Sequence, residues 1–428
     1  MDHLPDPRWQ DALAHSRYLA NLLRAHPALV PELAASWTEP LSRDLLGAAM
    51  EPPAGDDETL KTQLRRLRQR AMTHIALRDL CGLAPLAEVV ESMTLLADVT
   101  TNFALEHYHR QLVATYGEPL DKAGHPERLM VIGMGKLGGR ELNVSSDVDY
   151  IFIYPEDGDT SGPKSIENFD FFTRLGKRII GALGDITADG QVFRVDMRLR
   201  PNGDSGPLVC SLDALENYFI TQGREWERYA WIKGRTMNEG DNLQADWVTA
   251  MQKVARPFVF RKYLDFGAIN AMRDLHALLV ERRLLPAETE DDLRQAYVFL
   301  RRLEHRLQYI EDKQTHMLPE TPGDQANTAR SMGFADWPAM LAVLNAHREK
   351  VSRHFEQIFS DPEAGEHPLT GLWMGQLDED DAVESLGELG YRKPAEAIAR
   401  LAELRASSRY LQLPAPNPAR HDAHRPRQ

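Results

Sequence analysis

The chain has 428 residues, 43% hydrophobic and 27% charged, which is enough to bury the cores of two or three domains. Fifty basic against 64 acidic residues give a net charge of −14, which disfavours nucleic acid as the main partner, because a general polyanion binder is basic. Cys81 and Cys210 are the only cysteines, too few for a disulfide framework or a thiolate zinc site.

From Asp6 to about Tyr116 the pattern is helical. Ala12, Leu13, Leu19, Leu22 and Leu23 recur at helical steps, as do Leu64, Leu67, Ala71, Ile75 and Leu80, and then Leu95, Val99 and Phe103. Pro27, Pro31, Pro40 and the Pro52-Pro53-Ala54-Gly55 cluster break it. His107 and His109 fall on different sides of one helix, which argues against a shared metal.

The period changes near Arg128. Leu129-Met130-Val131-Ile132 reads as a buried strand ending at Gly133, and Asp147–Tyr154 as a second strand stopped by Pro155. Residues 166–183 form a helix with Phe169, Phe172, Leu175, Ile179 and Leu183 on one stripe. A third strand is expected over Val192–Arg200, with Phe193, Val195, Met197 and Leu199 on one face and Arg194, Asp196, Arg198 and Arg200 on the other. Beyond Asp213 the pattern is helical again. The run from Arg224 to Tyr229 reads either as a packed helix with surface ion pairs or as support for a site. Leu293–Glu311 carries Tyr297, Leu300, Leu303, Leu307 and Ile310 at helical spacing, while Glu304, His305 and His316 read as solvated positions. Another helix is expected over about 337–359. Pro414–Gln428 is Pro-, Arg- and His-rich, and disorder is expected there.

No apolar run approaches the roughly 18 residues of a membrane span. Met1–Pro7 lacks the basic and apolar regions of a secretion signal, so a cytoplasmic protein with no membrane partner is expected.

Gly133-Met134-Gly135-Lys136-Leu137-Gly138 matches the dinucleotide pattern G-x-G-x-x-G. A dinucleotide unit needs a crossover of at least about 10–12 residues before its second strand, and only Gly139–Ser146 intervene. A different chemistry fits. Asp147 and Asp149 are two apart on a strand, so both carboxylates share one face, and Asp196 on a second strand can converge on them. Three carboxylates beside a Gly-rich turn suit Mg²⁺ and a nucleotide phosphate, because hard cations take oxygen ligands. Gly133, Gly135, Gly138 and Gly139 let backbone approach the phosphates, Ser146 can donate to one, and Lys136, Arg194, Arg198 and Arg200 add positive charge.

The stretch from Gly133 to Asp149, with Gly139-Arg140-Glu141-Leu142-Asn143-Val144-Ser145-Ser146 inside it, resembles the signature of the glutamine synthetase adenylyltransferase/adenylyl-removing enzymes. Arg194-Val195-Asp196-Met197-Arg198-Leu199-Arg200-Pro201, Gly223–Tyr229 and Arg256–Tyr263 extend the resemblance, which runs to about residue 412. It implies an α+β fold: a polymerase-β-type nucleotidyltransferase domain with a small mixed sheet over 117–245, a helical region over 1–116 and another over 246–413, then a tail over 414–428. The wording is similar to the family's N-terminal copy, which implies phosphorolysis: phosphate attacks the AMP–tyrosine bond on glutamine synthetase and releases ADP. The copy that attaches AMP from ATP is expected to be absent. By position, the resemblance makes Asp147 and Asp149 magnesium ligands and Asp196 the third carboxylate, with a PII-type signal protein as regulator. Two departures mark this chain. An acidic Gly-rich piece is missing between Leu279 and Leu293, and the apolar helical pattern stops at Leu413. They raise an alternative of another class, a shortened chain that binds nucleotide or glutamine synthetase without turnover. Transfer to RNA, a third reading, is disfavoured by the acidic balance.

Overall fold

The computed structural model describes residues 4–50, 55–238, 243–259 and 287–359, with the single residue Ile398. The expected deletion after Leu279, the end of the Arg256–Tyr263 motif and the Pro-rich tail lie outside the described residues. The chain divides into two units at Lys350, and the sheet with its packed helices lies in the first.

Four short helices, α1 (Arg8–His15), α2 (Arg17–Ala25), α3 (Leu29–Ala34) and α4 (Arg43–Ala48), lead into two long ones, α5 (Asp57–Leu80) and α6 (Leu86–Tyr116). Local chemistry sets their ends. Ser16 accepts the Leu19 N–H at 3.0 Å and Asp56 the Thr59 N–H at 2.8 Å, each satisfying an orphan donor of a first turn. α6 stops at Gly117, whose φ of +88° suits glycine and whose Cα lies where any Cβ would strike the Gly162 backbone.

Then come β1 (Met130–Gly133), a one-turn α7 (Gly135–Gly138), β2 (Val148–Tyr154) and α8 (Asn168–Gly184), followed by β3 (Val195–Asp196) and β4 (Val209–Ser211). The helices α9 (Leu212–Thr221) and α10 (Glu225–Ile232) precede β5 (Arg235–Thr236) and α11 (Ala245–Val259). The remaining described helices are α12 (Ala287–Glu311), α13 (Pro322–Ser331) and α14 (Trp337–Phe359). The mixed sheet runs β3-β2-β1-β5, and β4 shares with β3 the same edge of β2. β1 lies antiparallel to β2 and β5, whereas β3 and β4 lie parallel to β2. The antiparallel β1–β2 pair is incompatible with a dinucleotide-type βαβ crossover, which the short spacing had already argued against.

From Tyr150 to Tyr154, β2 reads as an unbroken apolar run because both its faces are covered there. Tyr150, Phe152 and Tyr154 pack into one core with Phe171, Phe172, Leu175 and Ile179 of α8, and that core continues through α5 and α6 to Trp9. Ile151 and Ile153 enter a second core with Leu215, Phe219, Trp231 and Met251. Burying each large aromatic contributes roughly 1.5–3 kcal/mol. Arg65, fully buried, ties α5 to the end of α8: its guanidinium donates to the carbonyls of Ala182 at 3.0 Å, Gly190 at 2.8 Å and Asp185.

Two expectations need correction. The third strand holds only Val195–Asp196, not the nine residues of Val192–Arg200. The Asp196 carboxylate accepts the Arg198 N–H at 2.8 Å, a local turn that ends the strand using the side chain of its own last residue. In α12, Leu303 and Leu307 are buried, but Tyr297 and Leu300 are 46% and 38% exposed, so the apolar stripe is narrower than its spacing suggests.

Candidate active site

Parity on β2 places Asp149 on the face that carries Ile151 and Ile153, with Asp147 immediately before the strand. Asp149 stands in register with Asp196 across the parallel β2–β3 pair, and Asp147 is close enough for its charge, like that of Asp196, to act on Asp149. The glycine turn closes on them. The Met134 N–H donates to the Asp149 carbonyl at 2.9 Å, and Gly135, at φ +55°, leaves room for the Asp149 Oδ2, which would lie 3.1 Å from any Cβ there.

Electrostatics follow from this crowding. Burial, then the charges of Asp196 and Asp147, push the Asp149 carboxyl up to about 6. The hydrogen bond from Arg198 holds Asp196 below the ordinary carboxylate range. Arg194 Nε donates to Asp147 Oδ1 at 2.5 Å, and Arg198 Nη2 pairs with Asp196 Oδ2 at 2.5 Å. With two of the three carboxylates turned onto guanidiniums, no three His, Cys or acidic side chains among the described residues close around a single point. The donor set nonetheless fits a divalent cation. It is all oxygen, and burial and acidic neighbours disfavour the anionic form of its central member, a cost that a bound cation would relieve.

The other expected site residues scatter more widely. Lys136 lies half-exposed on α7, 3.8 Å from Glu304. Ser146 is buried immediately before Asp147. Arg198 is 74% exposed and turned onto Asp196. Arg200 instead spends its donors on the Met197 and Gly206 carbonyls, at 2.8 and 3.4 Å. Gly133 and Gly138 press on the protein's own chain. A Cβ on Gly138 would lie 2.0 Å from the Lys233 carbonyl and 2.4 Å from that of Gly133. Gly138→Ala must therefore displace β1 or the turn before β5, and a loss of more than about 2 kcal/mol is expected, read by circular-dichroism melting. Gly139 sits beside the Lys233 and Glu141 side chains.

The segment joining the glycine turn to Asp147 is held by residues that sequence reasoning missed. From α12, Tyr297 donates to the Glu141 carboxylate at 2.8 Å and Arg301 to the Glu141 carbonyl at 2.5 Å. His305 Nε2 meets Asn143 Oδ1 at 3.1 Å, Gln308 accepts the Ser145 N–H at 3.3 Å, and Asp312 accepts the Ser145 hydroxyl at 2.6 Å. These five recur every three or four residues, one polar stripe along a helix. His305 is thus corrected from a solvated position to one with no exposed surface, and burial pushes its imidazole down to about 4. Glu304 is mostly buried, while the exposed His316 reaches it at 3.3 Å. His107 and His109 are both buried and serve packing: His107 contacts Asp57 at 3.2 Å, and His109 stacks edge-on against Phe171. In α10, Glu227 is buried and accepts the Tyr218 hydroxyl at 2.6 Å and the Arg224 N–H at 2.7 Å, which makes that motif a brace for α9.

A short glycine turn between antiparallel strands, paired carboxylates opening the second strand and a third registered beside them define a nucleotidyltransferase domain. The family model for glutamate-ammonia ligase adenylyltransferase matches residues 8–250, and the chain belongs to that family. Residues 235–359 match a model described as GlnD PII-uridylyltransferase. Among its relatives, the bifunctional glutamine synthetase adenylyltransferase/adenylyl-removing enzyme of Aromatoleum aromaticum is 47% identical, over 89% of this chain and 46% of its own length. Those of Chromobacterium violaceum and Burkholderia mallei are 45% and 42% identical, over 93% and 97% of this chain. The chain spans about half the length of these relatives. Among the described residues, no helix is long and apolar enough to cross a membrane.

Proposed function

We propose that the chain is a Mg²⁺-dependent nucleotidyltransferase that removes AMP from the adenylylated tyrosine of glutamine synthetase by phosphorolysis. The observation that carries this reading is Asp149, fixed in register with Asp196 and two residues from Asp147. The names borne by the relatives supply the substrate, and the Gly223–Tyr229 wording favours removal over attachment. A phosphate oxygen attacks the AMP phosphorus, the bond from phosphorus to the tyrosine oxygen breaks, the phenolate takes up a proton, and ADP leaves. Asp147, Asp149 and Asp196 would hold the cation, whose chemistry is to neutralise charge on the phosphoryl oxygens and the leaving group. Arg198 exchanges Asp196 for the attacking phosphate, the charge of Lys136 is felt at Asp149, and Arg194 keeps Asp147 aimed. The match of residues 235–359 supports a PII-type protein as regulator. A cytoplasmic location follows from these substrates.

The test is full-length protein incubated with adenylylated glutamine synthetase, Mg²⁺ and labelled phosphate. Labelled ADP is expected. Nucleotide binding without any ADP would favour a non-catalytic binding role, and AMP incorporation from ATP into unmodified enzyme would reverse the assigned direction. The pH dependence has a definite sign. A proton on Asp149 competes with the cation, so Mg²⁺ affinity should be level above about pH 6 and fall by up to about tenfold per unit below it. Calorimetric titration over about pH 5–8 checks this.

A further inference from the structure

We infer that Asp312 is a positioning residue for Asp147, acting through Ser145. Asp312 follows the last turn of α12 with φ at +51°, the left-handed region that few residues other than glycine and asparagine or aspartate enter. It sits next to the site, not at a distant turn, which makes the unusual backbone a pointer to function. Its carboxylate is divided between two partners. Oδ1 accepts the Ser145 hydroxyl at 2.6 Å, and Oδ2 pairs with Arg68 at 2.8 Å, where both side chains are nearly buried. Arg68 belongs to α5, so Asp312 is pinned from behind by a rigid helix while it grips the signature segment in front.

The grip passes to Asp147 in two steps. The Ser145 carbonyl accepts Arg194 Nη2 at 2.6 Å, and the same guanidinium donates to Gln314 at 3.0 Å and through Nε to Asp147. A planar guanidinium held at three points has little freedom to swing, so the direction of the Asp147 carboxylate is set by atoms it does not touch. Arg194 engages Oδ1 of Asp147, which leaves Oδ2 to face a cation. The hydrogen bonds of the 297–312 stripe go to Glu141, Asn143 and Ser145, so these residues act on the carboxylates by placement.

This inference rests on the cation-binding reading of the three carboxylates. The experiment measures Mn²⁺ affinity of the full chain by paramagnetic resonance, without substrate, beside thermal melting. Ser145→Ala should weaken Mn²⁺ binding by about 3–10-fold with little change in melting temperature. Asp312→Asn keeps an acceptor for Ser145 and tolerates the backbone, so it should stay within about twofold of wild type. Wild-type affinity in Ser145→Ala overturns the inference, as does equal impairment of the two variants. If Ser145→Ala loses its cooperative melt, the exposed Gln314→Ala decides. Weakening of about twofold or more supports the inference, and unchanged affinity overturns it. Failure of the underlying reading looks different. The wild type would then show no Mn²⁺ site that Asp149→Asn removes.

Discussion

Asp149→Asn should reduce phosphate-dependent ADP release by at least about a thousandfold while making the folded protein more stable. The two effects share one cause. Asp149 is squeezed between Asp147 and Asp196 in a half-buried position, and its carboxyl is raised from 3.8 to about 6. A raised acid favours folding in its protonated form. Its contribution is fully present below the unfolded value and is lost as pH climbs through about 6, so at neutral pH the ionised Asp149 is a liability to the fold. Discounted for solvent screening of a partly exposed group, this corresponds to on the order of 2 kcal/mol, which the neutral amide recovers. The same amide offers a cation one weak oxygen in place of an anionic one. Opposite movement of turnover and melting temperature at pH 7.5, with the difference in melting temperature vanishing near about pH 4, is the expected pattern. A variant that loses activity because it is misfolded would show both falling together.

The second large effect lies away from the carboxylates. Asp79→Ala should cost about 3–5 kcal/mol and lower activity with it. Arg306 Nη1 and Nη2 meet the two Asp79 oxygens at 2.7 and 2.8 Å, both side chains being buried. Burial opposes the charge on Asp79, yet Arg306 outweighs it and holds the carboxyl below its ordinary range. Truncating Asp79 strands a guanidinium inside, left with the Ser331 carbonyl at 3.1 Å and the Asp79 carbonyl at 3.3 Å. This pair fastens α12 to α5, so its loss loosens the stripe that steadies Asn143 and Ser145. Denaturant unfolding of Asp79→Ala, set beside an Asp79→Leu/Arg306→Met double variant that removes both charges, separates the two contributions. The double variant should regain much of the stability.

The outline of the candidate site was legible in the chain because it obeys simple periodicities. Two aspartates two apart on a strand must share a face, and eight residues between a glycine turn and the next strand leave no room for a crossover helix. The parts that stayed hidden are those in which a side chain does the work of backbone. Asp196 ends its own strand by accepting the Arg198 N–H, so an alternation of nine residues yields a strand of two. His305 lies in a run of Arg, Glu and Gln that reads as a wet helix surface, yet that surface is covered by the Glu141–Ser145 segment, whose polar groups take the place of water. Long hydrogen-bonding side chains recurring at positions 297, 301, 305, 308 and 312 were the available signal. Polar periodicity says that a face is polar, not whether its partner is solvent or protein.

The dependence of Asn143 and Ser145 on α12 bears on what can be inherited as a working module. A gene fragment ending near residue 250 would encode every described strand and all three acids, but would leave the loop ahead of them without its scaffold. Recombination that shuffles this chemistry between proteins must therefore carry the helix along with the sheet, so the smallest transferable cassette is longer than the catalytic motif suggests.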